Sequence, residues 1–170
     1  MSETTHKKRR NFLFTASYCV GAVGVAAAIW PLVHQMNPDK SVKALATTEV
    51  DIGNVPVGKT ITVLWQGKPV FIRRRTAEEI KEAKSVKLND LKDPEKDEDR
   101  ANDPEWLVMV GVCTHLGCVP LGETGDYKGW FCPCHGSHYD TSGRIRKGPA
   151  PTNLEIPKHK FVNKNTLIIG

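Results

Sequence analysis

The most regular apolar pattern of the chain lies near its N-terminus. From Phe12 to Val33 no residue is charged, and a helix needs roughly 20 apolar residues to cross the hydrocarbon core of a bilayer. The sequence therefore predicts a transmembrane helix over residues 12–36. Trp30 is placed as an interfacial aromatic residue, and Pro31 is compatible with a membrane helix because it falls in the last turns.

After this helix the pattern changes twice. Residues 37–48 are small and polar without apolar periodicity, which favours a flexible tether. From residue 49 onward, short apolar runs separated by turn residues predict β-strands, with Gly67 as the turn of a hairpin. The continuous apolar run 106–112 indicates a buried strand. The other predicted strands are 60–65, 70–74, 127–131, 154–156 and 166–169.

One part of this β-rich region reads differently. Residues 77–84 have helical propensity. The following residues 87–106 are so charged and so often interrupted by proline that they predict a surface excursion whose role is solvation.

The distribution of charge predicts how the helix is oriented in the membrane. The net charge is +5, but Lys7, Lys8, Arg9 and Arg10 supply four of the positive charges, so the other residues carry about +1. A nucleic-acid partner is not expected, because binding would need a basic face on the folded part. Since no matching basic cluster follows the helix, the positive-inside rule predicts a cytoplasmic N-terminus (1–11) and a translocated C-terminal part.

The same basic cluster bears on export. Arg9 and Arg10 before Asn11 resemble a twin-arginine signal, which exports proteins that fold around a cofactor before they cross. A cleavable signal peptide is the alternative reading. It is disfavoured because the apolar run is long and the small-residue site at 44–46 lies well beyond its end.

Four of the five cysteines lie in two loops that are separated by thirteen residues. The first loop reads CTHLGC (113–118) and the second reads CPCHGSHYD (132–140). If all four cysteines bound one zinc ion, the histidines would be surplus to its four-coordinate site. Two cysteines and two histidines, one of each from each loop, instead suit a 2Fe–2S cluster with cysteine on one iron and histidine on the other. One cysteine per loop would remain, and a translocated domain permits a disulfide between them.

Together with the GPAP segment (148–151), these two loops resemble the Rieske iron–sulfur subunits of quinol–cytochrome c oxidoreductases, over essentially the whole chain. The resemblance implies a mainly β Rieske fold of antiparallel sheets, in a head domain over residues 49–170, plus one N-terminal transmembrane helix. It places a small cluster-binding subdomain at about 112–151. It also implies one 2Fe–2S cluster per chain.

The resemblance further implies a role for each cysteine and histidine of the motif. Cys113 and Cys132 would ligate the inner iron, and His115 and His135 the outer iron. The two loops would be tied by a disulfide between Cys118 and Cys134.

Residues around these ligands also receive roles from the resemblance. Ser137 and Tyr139 would donate hydrogen bonds to a cluster sulfur and to a ligating cysteine sulfur. Gly148 and Pro149 belong to the loop that would shield the cluster from a third side. His138 matches no ligand position and is interpreted as a structural or surface histidine.

The implied function is electron transfer from ubiquinol. His135 and His115 would be the catalytic residues, taking one electron with a proton where Leu116 and Gly117 dock on the quinol-oxidation site of cytochrome b. The electron would pass to a c-type haem subunit and so contribute to proton translocation. The implied setting is a dimeric complex in a bacterial inner membrane, with the head periplasmic, or the mitochondrial equivalent.

Several other protein classes share part of these features. A soluble Rieske ferredoxin usually lacks both the helix and the extra cysteine pair, and a structural zinc knuckle gives no role to Ser137, Tyr139 or the GPAP segment. The small subunit of a molybdenum oxidase such as arsenite oxidase would co-purify with molybdopterin rather than with b- and c-type haems. The plastoquinol-oxidising relative is disfavoured by the charged insertion 76–104.

Overall fold

The structure is a computed structural model that describes residues 2–37 and 46–170. Two compact units are separate in it, residues 1–43 and residues 44–170. We refer to the second unit as the head.

The first unit contains helix α1 (Ser2–His34). It begins well before the predicted residue 12, because the basic residues preceding the apolar run are good helix formers and no glycine or proline interrupts them. It ends two residues before the predicted residue 36. Residues His6–His34 of α1 are long and apolar enough to cross a membrane.

Most of the predicted tether, residues 38–45, lies outside the described residues. At its C-terminal end the prediction is wrong. The carbonyl of Ala46 accepts a hydrogen bond from Trp65 Nε1 at 2.7 Å, and the first strand begins at Thr48. Residues 46–48 therefore belong to the head.

In the described residues 46–170, the head is built from ten strands, with short helices between the third and the fourth. These elements are β1 (Thr48–Asp51), β2 (Thr60–Trp65), β3 (Lys68–Arg74), α2 (Ala77–Ser85), a 3₁₀ turn (Leu88–Asp90), α3 (Asp97–Arg100), β4 (Trp106–Val110), β5 (Leu121–Gly122), β6 (Trp130–Cys132), β7 (Ser137–Tyr139), β8 (Ile145–Lys147), β9 (His159–Asn163) and β10 (Thr166–Ile169).

These strands form three antiparallel sheets, in the orders β1-β10-β9, β2-β3-β4 and β5-β6-β7-β8. The mainly β fold of antiparallel sheets is thus confirmed. The predicted hairpin is β2-β3, and its two loop residues Gln66 and Gly67 both have positive φ, as a tight type I′ turn requires. The predicted strand 127–131 is shifted to Trp130–Cys132. The predicted strand 154–156 does not form, although Val110 N donates to Glu155 O at 2.8 Å.

Strand β4 is buried along its whole length because the head has a core on each face of the β2-β3-β4 sheet. Leu107 and Met109 join one core, which also includes Cys113, Cys132 and Tyr139. The alternate residues of β4 join the other core, which is shared with β1 and β10. The first cysteine loop therefore begins just after a strand that is buried on both faces.

Residues 87–106 lie at the surface of the head, and many of them are exposed, but the prediction that their role is only solvation is wrong. Asp97 and Arg100 are buried. Arg75 Nη1 lies 2.6 Å from Asp97 Oδ1, and Arg100 donates to the carbonyls of Ser142 and Leu154 at 2.7 and 2.6 Å. Buried charges are tolerated when they are paired and hydrogen-bonded. This segment is therefore packed against the rest of the head through its buried charges.

Candidate metal centre

Two loops of similar geometry carry the candidate ligands. The first follows β4, where Gly117 N donates to Cys113 O at 2.9 Å and Cys113 N donates to Cys118 O at 2.7 Å. The second connects β6 to β7, where Gly136 N donates to Cys132 O at 3.0 Å. Each loop thus closes on the carbonyl of its first cysteine. Hydrogen bonds within each loop therefore fix the backbone of both cysteines.

The four cysteines of these loops fall into two chemically different pairs. Cys118 and Cys134 form a disulfide, which confirms the predicted pairing. Cys113 and Cys132 carry free thiols and are each only 2% exposed. A site with four cysteine thiolates is therefore excluded, even though the sulfurs of Cys118, Cys132 and Cys134 lie within 4.8 Å of one another.

The two predicted histidine ligands lie side by side. The ring centroids of His115 and His135 are 4.7 Å apart, and the ring planes are almost perpendicular. His115 Nδ1 is buried and has no hydrogen-bond partner, which is costly for a polar atom unless it binds something else. His135 is exposed. An unpartnered imidazole nitrogen two positions along the chain from the buried Cys113, with a second buried thiol at Cys132, fits a 2Fe–2S cluster with mixed histidine and cysteine ligands.

The hydroxyl of Tyr139 contacts the first cysteine loop. It lies 3.3 Å from Cys113 Sγ and accepts a hydrogen bond from Thr114 N at 3.3 Å. The Thr114 hydroxyl donates to Thr152 O at 2.7 Å. Burial raises the pKa of Tyr139, so the phenol keeps its proton and can donate it to the sulfur, as the resemblance implied.

The two free thiols differ in their readiness to ionise. Burial opposes ionisation of Cys113, but hydrogen bonds from Tyr139, from the backbone of His115 and from Cys132 and Ser137 outweigh it and lower its pKa. Burial raises the pKa of Cys132, and the neighbouring charge of Cys113 raises it further. Cys113 is therefore the thiol of this pair that ionises more readily.

A third loop, residues 148–154, closes the site. Ser137 is buried, and its Oγ accepts a hydrogen bond from Ala150 N at 3.2 Å. Gly148 has φ +99°, and a Cβ there would lie 2.6 Å from Ser137 Cα, so only glycine permits this approach. Pro149 is exposed on the outer side of the loop.

The remaining predicted positions lie at the tip and the side of the site. Leu116 is 70% exposed at the end of the first loop, beside the exposed Gly117. His138 is turned away, with Nδ1 accepting a hydrogen bond from Asp126 N at 3.1 Å. Its structural interpretation fits this contact.

Sequence reasoning missed Thr114 and the contacts of the third loop with Lys92 and Asp93. Thr114 lies within the CTHLGC motif, so its position could have marked it. The contacts of Lys92 and Asp93 join residues about sixty positions apart, and no local pattern signals them.

Comparison with known proteins agrees with this geometry. Residues 40–159 match the family model "Rieske [2Fe-2S] domain", and residues 1–39 match "Ubiquitinol-cytochrome C reductase Fe-S subunit TAT signal". The ubiquinol-cytochrome c reductase iron-sulfur subunit of Rhodospirillum rubrum is 56% identical over 167 residues, covering 95% of this chain and 91% of the relative. The protein of the same name from Rickettsia felis is 52% identical, and the full length of both chains is covered.

A solved structure is also similar. A chain of a hyperthermophilic respiratory Complex III has a TM-score of 0.52 and 30% identity, covering 90% of this chain and 97% of that one. Domain match, relatives and site geometry lead to one assignment: the chain belongs to the Rieske iron–sulfur subunits of ubiquinol–cytochrome c reductase, and its cofactor is a 2Fe–2S cluster.

Proposed function

We propose that the chain accepts one electron, together with a proton, from ubiquinol bound to a cytochrome b subunit and passes the electron to a c-type haem subunit. The observation that carries this proposal is that two loops joined by a disulfide together hold two buried thiols and a pair of neighbouring histidines, of which His135 is exposed. A buried donor set protects a redox group from water. An exposed histidine brings a substrate within reach of it.

The four candidate ligands would hold two different sides of the cluster. Cys113 and Cys132 would hold the cluster in the core, and His115 and His135 would hold its outer side. When bound, the 2Fe–2S cluster supplies a one-electron acceptor whose potential is raised because neutral imidazoles replace two thiolates.

His135 is the better placed of the two histidines to meet quinol, because it is exposed while His115 is half-buried. Its ring nitrogen that does not bind iron can accept the proton of a quinol hydroxyl. Leu116 and Gly117 follow His115 in the chain and provide an apolar, exposed loop tip, which suits docking against cytochrome b at the quinol-oxidation site. The tip then excludes water from the proton transfer.

Isolation of the membrane complex tests this function. The chain, tagged at its C-terminus, should co-purify with b- and c-type haems, and the complex should reduce cytochrome c when ubiquinol is added. Recovery of molybdopterin in place of haem would contradict the proposal and favour the oxidase alternative.

The proposal also assigns a topology. The positive residues 7–10 at the start of α1 support a cytoplasmic N-terminus, and the helix His6–His34 supports a membrane span with the head on the periplasmic side, or the mitochondrial equivalent. The dimeric state of the complex stays a prediction from the resemblance. Protease added to intact spheroplasts should then digest the head, whereas full protection of the head would contradict this topology.

Tyr139→Phe should lower the midpoint potential of the cluster. The hydroxyl 3.3 Å from Cys113 Sγ favours the more negative, reduced state, and in this buried position water cannot replace it. A hydrogen bond to a charged group contributes about 1.5–3 kcal/mol, so we expect a shift of about 60 mV or more, which is about tenfold in the redox equilibrium. Redox titration followed by electron paramagnetic resonance measures it.

Tyr127→Phe is the matched control, because Tyr127 packs against Arg146 and His138 and not against the thiols. It should leave the potential unchanged. An unaltered or raised potential in Tyr139→Phe would exclude the tyrosine as a donor to the site.

A further inference from the structure

Three charged residues, Lys92, Asp93 and Glu95, which we call the clamp, lie against the outer side of the third loop. Lys92 Nζ donates to Gly148 O at 2.7 Å and lies 3.5 Å from Ala150 O. Asp93 Oδ2 accepts from Asn153 N at 2.9 Å. The Asn153 amide donates to Asp93 O at 3.1 Å and to Glu95 Oε2 at 2.9 Å. The clamp thus binds both ends of the third loop.

The inner side of the same loop holds both cysteine loops. Ala150 N donates to Ser137 Oγ at 3.2 Å, and Thr152 O accepts from the Thr114 hydroxyl at 2.7 Å. The third loop therefore lies between the clamp and the candidate ligand loops and contacts both. If its backbone moved, the hydrogen bond from Ala150 N to Ser137 Oγ would change directly.

The bond from Ala150 decides where the Ser137 proton can point. A hydroxyl has one proton and two acceptor lone pairs. Because Ala150 N–H occupies a lone pair from the third-loop side, the hydroxyl proton is free to turn toward Cys113 and the cluster sulfurs. Lys92 Nζ contacts two carbonyls of this loop, those of Gly148 and Ala150.

We propose that Lys92 is a positioning residue, which fixes the third loop so that Ala150 orients the Ser137 hydroxyl toward the cluster. Lys92 touches no candidate ligand, so it acts through Ala150 and Ser137. The inference rests on the proposed role of Ser137 as a donor to the cluster. The charge-assisted bond to Gly148 O is of the stronger kind, although its exposure to solvent limits its effect.

Lys92→Met, measured by redox titration of the intact membrane complex with electron paramagnetic resonance detection, tests the proposal. Methionine keeps an unbranched side chain and removes the donor. We expect the ratio of reduced to oxidised cluster at fixed potential to fall about two- to fivefold, and Lys92→Arg to restore it. Lys84→Met is the control, because the Lys84 ammonium lies near Glu98, at 4.0 Å, and should have no effect.

A double-mutant cycle separates positioning from the field of the lysine charge. If Lys92 acts through Ser137, Lys92→Met should cause no further shift in a Ser137→Ala background. The same shift in both backgrounds, or no shift in either, would overturn the inference. Ser137→Ala by itself tests the proposed donor: if it does not lower the ratio, the role of Ser137 fails, whereas a shift there without one in Lys92→Met removes only the role of Lys92.

Discussion

Cys132→Ala is expected to abolish the cluster and quinol oxidation together. The thiol is 2% exposed, at the end of β6 and inside the core, so water cannot replace it as a ligand. The sulfurs of Cys118 and Cys134 lie within 4.8 Å of it, but they are bound to each other in the disulfide and cannot serve as thiolates. Since Cys113, His115 and His135 also have no neighbouring substitute, their alanine variants should behave in the same way.

Iron and acid-labile sulfide in the purified chain measure this loss. We expect less than about a tenth of the parental content in each of the four variants, because a metal centre of this kind depends on all its ligands. Cys19→Ala is the matched control, since Cys19 is an exposed cysteine of α1 outside the site, and its content should be unchanged. Full cluster content in Cys132→Ala would remove this residue from the ligand set.

The arrangement of the candidate site was largely predictable because its residues lie close together in the sequence. The ligand motifs lie within two short loops, and the disulfide follows from the same two motifs once the family is identified. The β2-β3 hairpin was predictable for a similar reason, since a two-residue turn with Gly67 joins two apolar runs. Such features depend on few residues and on short-range geometry.

What escaped prediction depends on partners that are distant in the chain. The pattern of residues 87–106 is that of a solvated loop, but the partners of its charges are Arg75 and the carbonyls of Ser142 and Leu154. A run of Asp, Glu and Lys has the same composition whether its charges face water or buried arginines. The segment 154–156 failed as a strand because its neighbours give it isolated bonds rather than a ladder.

The difference between the predicted membrane span and the observed helix has another cause. Hydropathy marks the membrane-spanning residues, but helix formation continues into any adjacent residues with good propensity. Residues 7–10 are therefore helical and charged at once. The pattern predicted the apolar part of α1 and not its first turns.

Removing the disulfide with Cys118→Ala together with Cys134→Ala should have the second largest effect. The bond joins residues sixteen positions apart, and closing a loop of this size stabilises a fold by about 3 kcal/mol. The effect is concentrated at the site, because Cys118 O accepts the hydrogen bond of Cys113 N and Cys134 lies next to His135. Without the bond, the two loops can separate and carry the histidine pair apart.

The double variant should still assemble a cluster, because all four candidate ligands remain, but it should lose it faster. We expect the half-life of the electron paramagnetic resonance signal in the presence of an iron chelator to fall at least tenfold, and the thermal midpoint of the head to fall with it. Both cysteines are replaced because a single change would leave a free thiol next to the site, which could bind iron itself. A half-life equal to that of the parent would mean that β4, the β6-β7 turn and the third loop hold the ligand loops together without the disulfide.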